Sequence, residues 1–242
     1  MSAQVSSAVL LEDAVEEARF GGKCVSLGFG LRADLPAPRG YALAVDLVSA
    51  IASGDEAAKA NIARLFAEVA PAAAVRSSAV GEDSVNASFA GQHLTVLNVT
   101  DAESMITAIQ QVHASAYTAE AVAYRAKMGV EGEPAIAVVI QQQILSEIAG
   151  VMFTKNPITH TYERYIEASW GLGEAVVAGM VVPDSFRISS EGNILELVLG
   201  DKDVELVAIA EGETIEQEVD QIRQSSLCLN EDQLNSLHRI PR

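Results

Sequence analysis

The 242-residue sequence has few of the residues that define several common classes of protein. Its two cysteines, Cys24 and Cys228, are too few for a disulfide framework and lack the spacing of a zinc site. Two thiols of this kind are typical of a reducing compartment. One tryptophan and 5% aromatic residues argue against a protein that binds single strands by base stacking. The histidines lie in unrelated contexts without metal-ligand spacing: His93, His113, His160 and His238.

Positive charge is also scarce, since 16 lysines and arginines face 33 aspartates and glutamates, for a formal net charge of −17. This balance excludes a generic basic nucleic-acid patch and a surface held to anionic lipid. No apolar run approaches the roughly 20 residues that span a bilayer, and the N-terminus has no basic signal-peptide region. We therefore predict a cytoplasmic protein with no nucleic-acid and no membrane partner. In so acidic a chain, each lysine or arginine near a glycine-rich loop is informative.

The pattern along the chain indicates a mixture of helices and strands. Apolar spacing predicts helices over Asp46–Ile51 and Glu56–Val69. A β-branched apolar run predicts a buried strand over Ala135–Gln143. The segment Gly21–Tyr41 is dense in glycine and proline, which predicts turns rather than the interior of a helix.

Acidic residues are concentrated between Glu191 and Asp220, where the single basic residue is Lys202. The first part of this stretch belongs to a predicted hairpin of Phe186–Ile188 and Ile194–Leu199. A solvated strand-and-loop face is the simpler interpretation of the charge. The alternative is that these residues face a basic partner or domain.

Two motifs in the first third of the chain could bind a polyphosphate. In Gly21-Gly22-Lys23 the glycines permit close backbone approach, and the ammonium can meet a phosphate as a point charge. The motif lacks the Walker pattern, so a surface turn is the alternative. Arg76 follows a short apolar run and needs an anionic partner, which Glu82-Asp83 could also provide. Arg76 and Gly91 bracket a loop of small residues that could fold over a polyphosphate.

Two further positions suggest the rest of a nucleotide site. Gln141 lies at the end of the predicted apolar strand, where backbone groups can serve as an adenine hinge; an ordinary edge-strand glutamine is the alternative. Glu167 and Glu174 flank the sequence SWGLG and could help to hold Mg²⁺. Charges at a helix N-terminus are an equally good interpretation of these two carboxylates.

Taken in order, four blocks resemble one family. They cover roughly Leu10 to Leu237 and read GGKCVSLG…LPAPRGY, VRSSAVGEDSVNASFAGQHLTVLNV, AVVIQQQILSEIAGVMFTKNPIT and YIEASWGLGEAVVAGMVVPDSF. The sequence resembles the N-terminal nucleotide-binding region of phosphoenolpyruvate synthase, pyruvate phosphate dikinase and rifampin phosphotransferase.

The resemblance implies an α+β, two-lobed ATP-grasp fold, trimmed in the first lobe and truncated at the C-terminus. Residues 1–100 would form the first lobe, with the Gly-Gly-Lys and Arg-Ser-Ser loops. Residues 101–242 would form the second lobe, with the adenine-hinge strand and the acidic hairpin region. ATP and Mg²⁺ are the implied cofactors, and the metal ligands are unknown. The implied ATP-binding residues are Lys23, Arg76, Gly91, Gln141 and Gln143, with Arg76 also catalytic.

The resemblance also implies an activity, in which ATP donates a phosphoryl group to a histidine on another domain or chain. The interval from Gly40 to Arg76 is shorter than is usual in the family. The DIEW-type and VQSRP-type segments, which supply a metal-binding Glu, a Gln and a catalytic Arg, would follow Arg242. We therefore expect an ATP-binding domain or subunit whose partner carries the phosphohistidine. A non-catalytic scaffold or regulatory relative, or a piece of a longer enzyme, is the alternative.

Overall fold

The fold is described by a computed structural model for residues 7–81, 94–127 and 132–241. The chain divides into two compact units. Unit 1 comprises Met1–Ile144 together with Glu211–Glu213, and unit 2 comprises Leu145–Ala210 and Thr214–Arg242. Both units combine helices and strands, so the predicted α+β class is confirmed.

Unit 1 is built on a five-stranded antiparallel sheet in the order β1-β2-β5-β3-β4. Its strands are β1 (Ala8–Leu10), β2 (Gly40–Leu43), β3 (Ala73–Ala79), β4 (Thr95–Val99) and β5 (Ile136–Gln142). Its helices are α1 (Glu17–Arg32), α2 (Val45–Ala52), α3 (Glu56–Ala60), α4 (Ile62–Val69), α5 (Ala102–Ser115) and α6 (Ala119–Lys127).

The sheet of unit 1 is covered on both faces, because successive side chains of each strand point to opposite sides. On one face, Val75 of β3 and Ile140 of β5 join a large apolar core with α2, α4 and α5. On the other face, Val139 joins a smaller core that includes Phe20 and Cys24 of α1. Helix α1 therefore lies over the side of the sheet that does not face the main core.

Two predicted segments differ from the structure: the predicted turns after Gly21 are part of α1, and the second predicted helix is divided in two. Turns were predicted over Gly21–Tyr41, but α1 continues to Arg32 with one non-helical residue, Gly21. The prediction was wrong because these glycines allow close packing: a Cβ on Gly28 would lie 2.3 Å from Leu11 O. The predicted helix over Glu56–Val69 consists of α3 and α4, whereas the predicted α2 and β5 are confirmed.

Unit 2 contains a four-stranded antiparallel sheet and a separate two-stranded hairpin. The sheet has the order β6-β7-β8-β9 and consists of β6 (Ile148–Phe153), β7 (Arg164–Trp170), β8 (Asp184–Ile188) and β9 (Ile194–Val198). The hairpin consists of β10 (Val204–Ala208) and β11 (Thr214–Glu218). Its helices are α7 (Glu174–Val177), α8 (Gln221–Gln224) and α9 (Glu231–His238). Its core includes Ile166, Phe186 and Leu234.

The boundary between the units differs from the predicted division of the chain into residues 1–100 and 101–242. Strand β5 belongs to unit 1 because it lies between β2 and β3, where Gln141 pairs with both Gly40 and Ala74. The compact units therefore separate at Ile144. The assignment of two ATP-grasp lobes remains a prediction.

The acidic stretch between Glu191 and Asp220 is only partly a solvated face. Lys202, its single basic residue, is fully buried and forms an ion pair with the buried Asp184. Glu205 is also buried and pairs with Arg223 at 2.7 Å. No helix among the described residues is both long and apolar enough to cross a membrane.

Candidate functional site

The site predicted from the sequence centres on β3. Ala73, Val75 and Ala79 point into the main core of unit 1. Since side chains alternate along a strand, Arg76 and Ser78 project from the opposite face, which α1 covers. Arg76 is half-buried there, and Ser78 is fully buried. An arginine is thus placed at the margin of a packed face, where its charge keeps access to solvent or to a ligand.

The Gly-Gly-Lys motif approaches β3 through a break in α1. Gly21 has φ 72° and ψ 166°, outside the helical region. A Cβ at this position would lie 2.1 Å from Ser78 O, so even alanine cannot be accommodated without movement of the backbone. The requirement for glycine here arises from contact between two segments of the chain.

Lys23 follows this break and reaches β3. Its Nζ donates a hydrogen bond of 2.8 Å to Ser77 O. Ser77 immediately follows Arg76 in β3. The structure therefore brings the Lys23 ammonium to the strand that carries Arg76, in a strongly acidic chain.

Gln141 also lies beside Arg76, one strand away. It pairs with Ala74 of β3 and is buried. Its Oε1 accepts a hydrogen bond of 3.4 Å from Arg76 Nη1, and its Nε2 donates to Pro38 O at 3.0 Å. Both ends of the amide thus contact unit 1 itself, and the adenine-hinge role of Gln141 remains a prediction.

Gln143 follows β5 and is held by the neighbouring strands. Its N–H donates to Ala72 O at 2.9 Å, and its Oε1 accepts from the N–H of Asn98. Asn98 has a positive φ of 54°, a conformation that asparagine tolerates better than most residues. The Nε2 of Gln143 is buried and has no hydrogen-bond partner among the described residues. Its proposed place beside adenine is untested.

Three residues of the predicted phosphate loop cannot be placed. Gly91, Glu82 and Asp83 lie outside the described residues. Two cavities of about 490 and 480 Å³ lie elsewhere, beside β6 and α9 in unit 2 and beside β4 and α5 in unit 1. Neither cavity is lined by Lys23, Arg76 or Gln141. The site prediction therefore rests on the contacts that these three side chains make at β3, and not on a cavity.

The environment of Cys24 favours the neutral thiol. Burial raises the pKa of Cys24 to about 11, although the Ser78 hydroxyl and the Lys23 ammonium act in the opposite direction. The thiol is therefore protonated at neutral pH and is a poor nucleophile. The chemistry of this face depends on Lys23 and Arg76.

The two predicted carboxylates, Glu167 and Glu174, lie on different elements, β7 and α7. Glu167 accepts a hydrogen bond of 3.1 Å from Tyr165 Oη, and burial raises the pKa of Glu174 at the start of α7. Across residues 7–81, 94–127 and 132–241, no group of three or more His, Cys, Asp or Glu side chains could hold a metal ion. A contribution of Glu167 and Glu174 to Mg²⁺ binding together with nucleotide phosphates remains a prediction.

Sequence reasoning did not predict the contacts that join these residues. Ser78 was included only in the Arg-Ser-Ser motif, which was predicted as a loop but lies in β3, and Pro38 and Asn98 were not singled out. Each of the three makes a hydrogen bond to α1 or to a predicted site residue. A small polar residue in an apolar strand was the available signal for Ser78. No comparable signal marks Pro38 O, because its backbone carbonyl is defined only by the fold.

The chain belongs to the family described as pyruvate phosphate dikinase, AMP/ATP-binding domain, whose model matches residues 55–242. It is thus an ATP-binding domain related to those of phosphoenolpyruvate synthase-like phosphotransferases. The match begins after Lys23, so the role of that residue is assigned only by the resemblance of its motif.

Three relatives illustrate the similarity. A probable phosphoenolpyruvate synthase of Methanocaldococcus jannaschii is 40% identical over 170 residues, which cover 69% of this chain and 14% of that protein. The phosphoenolpyruvate synthase of Pyrococcus furiosus is 41% identical over 166 residues, 67% of this chain and 20% of that protein. The rifampicin phosphotransferase of Bacillus subtilis is 36% identical over 171 residues, 70% of this chain and 20% of that protein. The chain thus spans a fifth or less of these relatives.

Proposed function

We propose that this chain binds ATP in a two-lobed ATP-grasp fold and supplies a phosphoryl group to a histidine on another domain or chain. The observation that supports the proposal is the hydrogen bond from Lys23 Nζ to the carbonyl of Ser77, the residue after Arg76 in β3. The final acceptor would resemble those of phosphoenolpyruvate synthase or rifampicin phosphotransferase. We propose a cytoplasmic location, where both cysteines stay reduced.

The roles of the residues follow from their chemistry. Lys23 would bind phosphate as a compact point charge, and the planar guanidinium of Arg76 would bind two oxygens and stabilise the charge that develops during transfer. The Gly91 loop would cover the phosphates, and the end of β5 at Gln141 and Gln143 would receive adenine. Mg²⁺ would accompany the phosphates of ATP. Phosphoryl transfer requires mainly this kind of positioning and electrostatic stabilisation.

Calorimetric titration of the purified chain with Mg-ATP tests the proposal. Lys23→Ala and Arg76→Ala should each weaken binding by about 1.5–3 kcal/mol, the scale of a charged hydrogen bond. Lys59→Ala is the matched control, because Lys59 pairs with the exposed Glu56 on α3 and should leave affinity unchanged. A chain that is folded by circular dichroism and binds no Mg-ATP would overturn the proposal.

A non-catalytic scaffold or regulatory relative is the second candidate. It is favoured by the contacts that Lys23 and Arg76 make with Ser77 O and Gln141, since such contacts would also suit a purely structural role. The chain should be mixed with radiolabelled ATP and a protein that carries a candidate phosphohistidine. Label on the partner histidine would exclude the scaffold, whereas ATP binding without transfer to any such partner would support it.

A further inference from the structure

The hydroxyl of Ser78 contacts both sides of the break in α1. Ser78 Oγ donates to Phe20 O at 2.8 Å and accepts from the N–H of Cys24 at 3.0 Å. Ser78 is fully buried in β3. In a regular α-helix the N–H of residue 24 would pair with the carbonyl of residue 20. The serine hydroxyl satisfies both of these groups at the position where Gly21 departs from helical geometry.

This contact holds the segment that carries Lys23. The residues between Phe20 and Cys24 are Gly21, Gly22 and Lys23, so the serine fixes both ends of the motif. Gly21 lies directly against Ser78, as the 2.1 Å from its missing Cβ to Ser78 O shows. Lys23 Nζ reaches the carbonyl of the preceding residue, Ser77.

The same strand positions the second cation. Arg76 lies two residues before Ser78, and side chains two apart on a strand share a face. Ser78 thus connects α1 to the strand face from which Arg76 projects. Without its hydroxyl, the Phe20 carbonyl and the Cys24 N–H would lose their partner in a buried environment, which favours a shift of the turn.

We propose that Ser78 is a positioning residue for the polyphosphate site, because it holds the Gly21–Lys23 turn against β3 and so brings Lys23 to the carbonyl of Ser77, the residue after Arg76. This inference rests on the proposed function. Ser78 itself does not touch ATP; it acts through Lys23. A purely structural serine would instead affect all ligands alike through overall stability.

A double-mutant cycle with two ligands tests the inference. Ser78→Ala should weaken Mg-ATP binding by about 5–30-fold in the wild-type background, which is the scale of lost hydrogen-bond positioning. It should leave the affinity for adenosine, which has no phosphate, within about twofold. In a Lys23→Ala background, Ser78→Ala should add less than about twofold, because the two residues act as one unit.

Ser169→Ala is the matched control for a buried serine. Ser169 is fully buried in β7, and its Oγ has no hydrogen-bond partner among the described residues. Its replacement should change neither affinity. If Ser78→Ala does not fold, Ser78→Cys is used for the same comparison, because its thiol can still form weak hydrogen bonds at this position. Ser78→Cys should give a smaller loss of Mg-ATP affinity and leave adenosine affinity unchanged.

The possible results separate this inference from the proposed function. Equal losses of Mg-ATP and adenosine affinity, or a full additional loss in the Lys23→Ala background, would overturn the positioning role while ATP binding stands. A folded wild-type chain that binds no Mg-ATP would overturn both. The expected result is that Ser78→Ala lowers the affinity for Mg-ATP but not the affinity for adenosine. This loss should be absent when Lys23 is already replaced by alanine.

Discussion

At the scale of single residues, the glycine at position 21 has two possible explanations, one in ligand binding and one in packing. The Gly-Gly-Lys sequence suggested close approach to a phosphate, but its first glycine also makes a close approach to Ser78 O. The φ of 72° adds a second requirement for glycine. The packing requirement is thus seen in the structure, whereas the ligand requirement remains a prediction.

Replacement of Gly21 by alanine separates the backbone angle from the contact. Gly54→Ala is the control, since Gly54 has φ 89° and its missing Cβ has only Lys59 Nζ nearby, at 4.0 Å. Gly54→Ala should lower the free energy of unfolding by about 1–2 kcal/mol through the left-handed conformation alone. Gly21→Ala should cost a further 1–3 kcal/mol, roughly, because its Cβ would overlap Ser78 O and because φ 72° with ψ 166° is essentially restricted to glycine. Urea denaturation measures both, and equal losses would contradict the role of the contact.

The candidate site was predictable where a charged residue stands out against its sequence context. Lys23 and Arg76 met that condition, and the structure brings Lys23 to the residue after Arg76. Ser78 and the Pro38 carbonyl did not, because their roles depend on partners 58 and 103 residues away. Local sequence contains no information on which distant backbone group a buried hydroxyl or amide will meet.

At the scale of elements, β8 and the chain after β9 are joined by a buried ion pair. Asp184 of β8 pairs with Lys202 and also accepts hydrogen bonds from Gly200 N at 2.8 Å and Cys228 N at 2.7 Å. These bonds satisfy the carboxylate in a fully buried position. The only base of the acidic stretch is therefore a structural residue, which the charge pattern did not indicate.

Removal of the buried ammonium of Lys202 should strongly destabilise the folded chain. Lys202→Met leaves the charge of Asp184 buried without its counter-ion and should lower the free energy of unfolding by about 3–5 kcal/mol. The control, Lys155→Met, removes an exposed lysine of unit 2 whose Nζ lies 5.5 Å from the centroid of the Tyr162 ring, and should change the value by less than about 1 kcal/mol. Chemical denaturation provides the comparison, and similar losses for the two variants would show that the pair contributes nothing specific.

Predictions for elements succeeded where the apolar pattern was strong and failed where glycine was taken as a sign of turns. The periodic apolar residues of α2 and the β-branched run of β5 were sufficient. Helix α1 was missed because helix propensity is a weak guide when tertiary contacts favour small residues. Its buried glycines, Gly22, Gly28 and Gly30, are tolerated because they are packed.

At the scale of the whole molecule, each compact unit has its own apolar core. The only tryptophan, Trp170, lies in unit 2, where its Nε1 donates to Arg223 O at 3.1 Å. The long helices α1 and α5 both lie in unit 1. Tryptophan fluorescence and far-UV circular dichroism therefore report mainly on different units.

The two signals should give different transitions in urea, because separate cores unfold as separate cooperative units. Mg-ATP at about 100 times its dissociation constant should stabilise the unit that carries Lys23 and Arg76 by about 2.7 kcal/mol. The circular dichroism transition should therefore move more than the fluorescence transition. Superimposed transitions that shift together would show that the chain unfolds as one unit.

The sequence by itself determined the composition class, the strongest helices and strands and the family, and it suggested the two cations proposed for a phosphate site. These features are local or cumulative along the chain, so no knowledge of the fold is required to detect them. The tertiary structure alone decided that β5 lies in unit 1, that Lys202 is buried and that Ser78 supports the turn that bears Lys23. Each of these depends on contacts between residues far apart in sequence, and only chain folding determines such contacts.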